Sequence, residues 1–175
     1  MIHQKTVLVL GAGASWPYGF PTGQGLIKNI LDGTRETSQH FWATLRDAGV
    51  DDDLIRAFHR TLARTQFDSI DIFLEYQPEY REVGKLAIAA ALIPCEREEN
   101  LANPPIEGRH WYKFLFQRLM QRDGFTGSKL SIISLNYDRS LQQYLYQTLI
   151  QDLRKTPDAR PVQSSASSSH TYTVI

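Results

Sequence analysis

The alternation of apolar and polar positions marks two short strands separated by a long stretch of helical pattern. Val7, Leu8, Val9 and Leu10 form a run of β-branched and aliphatic residues that enters Gly11-Ala12-Gly13-Ala14-Ser15, the layout of a buried strand delivering a glycine turn. Leu130 to Leu135, L-S-I-I-S-L, is the other strong strand; Gly124, Gly127 and Ser128 precede it and Asn136-Tyr137-Asp138 sits at its carboxyl end. Between them the period lengthens. Thr22 is a plausible cap for a helix with Leu26, Ile27, Ile30 and Leu31 as its buried stripe, ended by Asp32-Gly33. Asp51 to Asp53 open a helix with Leu54, Ile55, Phe58 and Leu62 on one face. Asp68-Ser69 precede Ile70, Phe73 and Leu74, a stretch broken by Pro78; an alanine-rich helix then runs from Glu79 to Ile93 and stops at Pro94. Asn103-Pro104-Pro105 reads as a linker or rigid turn. From His110 to Gln121 two interleaved rows, Trp111, Leu115, Leu119 and Tyr112, Phe116, Met120, make a broad apolar face that reads as core. A last helix stacks Leu141, Leu145, Leu149 and Leu153.

Two strands that each end in a polar turn, with helices between them, predict an α/β fold: a Rossmann-like parallel sheet carrying a large helical insertion at about residues 34–123. Such sheets have five or six strands and only two are legible, so the sheet reads as incomplete and residues 1–155 as the N-terminal portion of one domain. Residues 156–175, with Pro157, Pro161 and serines at 164, 165 and 167–169, have the composition of a disordered tail. Open α/β sheets bind ligands beyond the carboxyl ends of their strands, where both polar motifs fall.

Composition narrows the function classes. The 175 residues are 42% hydrophobic, enough for one core. Nineteen basic residues balance nineteen acidic ones, so no global field draws the chain to nucleic acid or to an anionic membrane. Leu86 to Ile93, the longest apolar run, is too short to span a bilayer, and the N-terminus lacks the layout of a signal peptide, so a cytoplasmic protein is expected. The single cysteine, Cys95, excludes an internal disulfide and a multi-cysteine zinc site, and reads as a small buried hydrophobe; no metal is expected.

The glycine turn carries the first candidate chemistry. Gly11 has access to backbone angles closed to other residues, and Gly13 has no Cβ to hold a pyrophosphate away from main-chain N–H groups. Trp16 stands where a third glycine of the dinucleotide fingerprint is usual, so the motif alone fits a nucleotide site or a tight turn. Asn136-Tyr137-Asp138 fits a ligand site or an N-cap, with Asp138 suited to both; Ser69 and Asp71 read as a cap and a first-turn acid. Trp16 and Tyr18 suit stacking on a planar ligand ring, or packing over the turn. Arg139 reads as a solvated helix-start residue, and His3, His40, His59 and His110 as surface or core residues.

Taken in order, Gly11 to Ser15, Pro17-Tyr18-Gly19-Phe20-Pro21-Thr22-Gly23, Ser69-Ile70-Asp71-Ile72-Phe73-Leu74-Glu75 and Leu135-Asn136-Tyr137-Asp138-Arg139-Ser140-Leu141 resemble the sirtuin-like NAD-consuming domains of bacterial anti-phage defence proteins. The resemblance covers about residues 6–150. It implies that Gly11, Ala12, Gly13, Ala14 and Ser15 cradle the pyrophosphate of NAD through backbone donors and a helix N-terminus. It implies that Pro21 and Thr22 lie over the nicotinamide ribose, and that Asn136 orients that ribose or the attacking water, with Tyr137 and Asp138 beside it. Asn136 and Asp138 would be the catalytic pair, and the reaction cleavage of the nicotinamide N-glycosidic bond. The implied partners are a second copy of the chain, a defence-system partner or a fused C-terminal sensor.

The sequence also departs from that family. Its members continue into a strand ending in a His-Gly pair whose histidine is the general base; no His-Gly occurs here, and His170 sits among serines. A catalytically inactive NAD or ADP-ribose binding module, or an inactive fragment, is therefore the alternative. The sirtuin deacylases hold a zinc with two cysteine pairs, which one cysteine cannot supply. A flavin- or NAD-dependent oxidoreductase half would need a second strand with a terminal acid soon after the first helix, and residues 34–47 show none.

Overall fold

The computed structural model of the chain describes residues 2, 4–106, 110–120 and 129–155. His3, the turn residues Gly124, Gly127 and Ser128, Gln121, His170, the tail at 156–175 and the side chain of Leu153 lie outside the described residues. The chain is a mixed α/β protein, mostly helical, with a two-stranded parallel sheet among the described residues. It divides into two compact units: residues 1–18 with 98–175, and residues 19–97. The sequence pattern put the helical insertion at about 34–123. The second unit instead takes in the helix that follows Thr22, because that helix packs on later helices of the same unit.

In the first unit, β1 (Thr6–Leu10) pairs in parallel with β2 (Leu130–Ser134), Thr6 opposite Leu130 and Leu10 opposite Ser134. Beyond that register the Leu135 N–H donates to the Leu10 carbonyl at 2.9 Å, so the two strand-end loops leave side by side. Both strands are half-buried, whereas the apolar run of β1 suggested a buried strand. Thr6, Leu8 and Leu10 face inward, whereas Val7 and Val9 are 57% and 62% exposed, because the described helices cover one face only. The other described elements of this unit are α6 (Glu98–Ala102), α7 (Trp111–Leu119) and α8 (Ser140–Lys155). Tyr112, Leu115, Phe116 and Leu119 of α7 are buried with Leu141 and Tyr144 of α8, and α7 packs on α8. Trp111 and Met120 are only half-buried, so each of the two rows gives the core two of its three members. On α8, Tyr144 is buried, and Leu145 and Leu149 are half-buried.

The second unit is helical: α1 (Gly23–Gly33), α2 (Gln39–Asp47), α3 (Asp52–Leu62), α4 (Ile70–Tyr76) and α5 (Arg81–Leu92). Its core gathers Leu26, Ile30, Phe58, Leu62, Phe73 and Val83. α5 is central, against α1, α2, α3 and α4, and its small residues Gly84, Ala87 and Ala91 let neighbours approach closely. Two caps in this unit close through their side chains. Asp51 accepts the Asp53 N–H at 2.8 Å and Ser69 the Asp71 N–H at 3.2 Å. Thr22 occupies the cap position of α1 without a side-chain bond. Leu54 is exposed, since the apolar stripe of α3 runs through Ile55, Phe58 and Leu62. Pro94 does not end the chain's helical path outright; Ile93–Cys95 tighten into a 3-10 turn. Cys95 is half-buried, with its thiol against the Ala91 carbonyl, and burial pushes the thiol above its ordinary range. No described helix is long and apolar enough to cross a membrane.

Candidate functional site

The loop after β1 is a pair of 3-10 turns, Ala12–Ala14 and Trp16–Tyr18, closed by Ala14 N–H to Gly11 carbonyl at 2.8 Å and Tyr18 N–H to Ser15 carbonyl at 2.9 Å. No α-helix starts here, so the helix N-terminus expected to meet the pyrophosphate is absent from the described part of this unit. Gly11 corrects the sequence reading a second time. Its φ of −111° and ψ of −178° are extended angles open to any residue. Among the described residues the positive-φ glycines are Gly19 and Gly49. A Cβ placed on Gly11 or Gly13 would meet no atom within 4 Å. The chain's own packing thus does not require glycine at either position. Both turn an open face of main chain outward.

The loop after β2 meets this turn through side chains. Ser15 is fully buried; its hydroxyl donates to Asp138 Oδ2 at 2.6 Å and lies 3.2 Å from the Ala12 carbonyl. The Asn136 amide Nδ2 donates to the Ser15 hydroxyl at 3.4 Å. The other Asn136 amide atom, Oδ1, is buried and accepts no hydrogen bond among the described residues. Such an acceptor calls for a donor. Asp138 closes the entry to α8, where its Oδ1 accepts the Ser140 N–H at 3.0 Å and also the Ser140 hydroxyl. Its carboxylate therefore acts as cap and as anchor for Ser15 together.

Behind these loops lies a buried phenol cluster whose hydrogen bonds the sequence pattern did not reveal. The Tyr112 hydroxyl is 2.6 Å from the Ser140 hydroxyl. Since Ser140 gives its one proton to Asp138, Tyr112 is the donor of that pair. The Tyr112 N–H donates to the Tyr18 hydroxyl at 2.8 Å, and the two rings stack with centroids 3.8 Å apart. Tyr18 is thus held inside, leaving no face for a base to stack on. Burial pushes both phenols well above their ordinary range. His110 Nδ1 lies 3.3 Å from the Tyr18 hydroxyl, and burial, followed by the Lys113 charge, holds this imidazole below its ordinary value. Trp111 Nε1 donates to the Ala14 carbonyl at 2.7 Å, fixing the glycine turn from α7. Between α7 and the inward face of β1 is an apolar cavity of about 550 Å³, lined in part by Leu8, Leu10, Ala14, Trp111 and Phe114.

The described residues thus bring Gly11–Ser15, Asn136 and Asp138 together at the carboxyl ends of adjacent parallel strands. Tyr137 is 51% exposed on the same loop, and Arg139 is exposed. Pro21 and Thr22 belong to the other unit, half-buried and exposed respectively. Among the described residues no three His, Cys, Asp or Glu side chains gather as a metal site would require. Comparison with protein-family models, with curated proteins and with solved structures finds no match to this chain.

Proposed function

We propose that the two strand-end loops bind NAD and cleave its nicotinamide N-glycosidic bond, in the manner of the sirtuin-like domains that the motifs resemble, on a Rossmann-like sheet. The observation that carries the reading is the junction of Ser15 with Asn136 and Asp138, which joins a glycine turn to an amide-bearing loop across neighbouring strand ends. Two further features support it. The open space at Gly11 and Gly13 allows a pyrophosphate to approach main-chain N–H groups closely. The unpartnered Asn136 Oδ1 suits a ribose hydroxyl or a water as donor.

In the reaction, water adds to the ribose carbon as the bond to nicotinamide breaks. The bonding electrons return to the pyridinium nitrogen, neutral nicotinamide leaves, and the water's proton passes to bulk solvent. The residues contribute orientation. Asn136 aims the ribose or the water, and Asp138 keeps Ser15 and hence the turn in register with it.

A second reading, a module that binds NAD without turnover, is favoured by one observation. Asp138 uses both carboxylate oxygens on protein donors, and the imidazole of His110 is bound against Tyr18, so neither is a free base. Incubation of the purified chain with NAD, followed by chromatography for nicotinamide, separates the two. Release that disappears in Asn136→Ala supports cleavage. Saturable binding without release supports the module, and no binding at all rejects both.

A further inference from the structure

We infer that Tyr112 is a positioning residue for the candidate site, acting through Ser140 and Asp138 on Ser15 and the amide of Asn136. The consequence for ligand binding rests on the NAD reading above; the coupling itself does not.

The chain of contacts is continuous. The Tyr112 hydroxyl donates to Ser140 at 2.6 Å, Ser140 donates to Asp138 Oδ1, Asp138 Oδ2 holds Ser15 at 2.6 Å, and Ser15 accepts from Asn136. Each hydroxyl has one proton, so each step fixes the direction of the next. Were Tyr112 to lose its hydroxyl, Ser140 would lack a donor on its buried side and the Asp138 carboxylate would be held less firmly. Tyr112 is also well placed to transmit no slack. Its side chain is 1% exposed, its ring is stacked on Tyr18, and its own N–H is tied to the Tyr18 hydroxyl. The neighbouring Trp111 grips the Ala14 carbonyl, so the first turn of α7 holds the glycine turn from one residue and the Asn136 loop from the next. This arrangement sets the spacing of the two loops before any ligand arrives.

The test uses the full chain with Tyr112→Phe, which keeps the stacked ring and removes only the hydroxyl. NAD affinity is expected to fall about tenfold. In an Asp138→Asn background the same change is expected to alter affinity less than about twofold, since the link is already broken. Equal loss in both backgrounds overturns the inference. An independent readout is the side-chain amide pair of Asn136 in the nitrogen–proton spectrum of the unliganded protein, identified by its loss in Asn136→Asp. Those resonances are expected to move in Tyr112→Phe; unchanged resonances overturn the inference even if affinity changes. If Tyr112→Phe does not fold, Ser140→Ala interrupts the same chain one step later and is expected to give the same response. Absence of NAD binding by the unmodified protein would overturn the functional reading, while the Asn136 resonances would still decide the positioning role.

Discussion

At Gly13 a methyl group would meet none of the protein's own atoms, and the backbone there is not in the left-handed region. Gly13→Ala is therefore expected to leave stability within about 0.5 kcal/mol in denaturant titrations while weakening NAD binding about tenfold or more by blocking the approach to the main chain. A glycine needed only for folding would give the opposite result. His110 yields a pH prediction. Its folded value is depressed, so below about pH 6.5 the unfolded chain takes up the proton more readily. Its contribution to stability is fully present above that pH and declines as pH falls towards the folded value. Denaturation midpoints at pH 7.5 and 5.5 should differ less in His110→Gln than in the unmodified chain. Residue types pointed to Asn136, Asp138 and the glycines. They did not reveal the Tyr112 hydroxyl, because a tyrosine inside an apolar row reads as packing, and its partners Ser140 and Tyr18 lie far along the chain.

Among the elements, those with strong local signals were legible. Asp51 and Ser69 make the cap bonds that their residue types suggest, and the stripes of α1, α3 and α5 follow the 3.6 period. α2 was not, because it buries only Trp42 and Leu45 and its cap Ser38 bonds the Asp32 carbonyl instead of its own first turn. Both strands were legible as strands, but β1 was misread as buried. Apolar content at Val7 and Val9 cannot tell whether a second layer covers them. α5 offers a packing test. A Cβ on Gly84 would come within 2.4 Å of Leu74 Cδ2, in the buried crossing of α4 and α5. Gly84→Ala is expected to destabilise by about 1–3 kcal/mol in urea unfolding, despite the better helix propensity of alanine. A stabilised variant would mean that the crossing is looser than described.

For the whole molecule, the organising feature is a helical unit of residues 19–97 that follows β1 and precedes β2 in the sequence. Its apolar cluster is drawn entirely from its own residues. Residues 19–97 expressed alone should therefore unfold in one cooperative thermal transition followed by circular dichroism; a featureless melt would show that the unit depends on the rest of the chain. The site belongs to the other unit, in loops that the parallel pairing of β1 and β2 sets side by side. The proposed function depends on those loops receiving a dinucleotide. The most direct measurement is a titration of the isotope-labelled full chain with NAD, following the backbone amides of Gly11 and Gly13 and the side-chain amide of Asn136. Saturable shifts at all three with one common dissociation constant are predicted. Unmoved resonances at these positions under millimolar NAD would contradict the account.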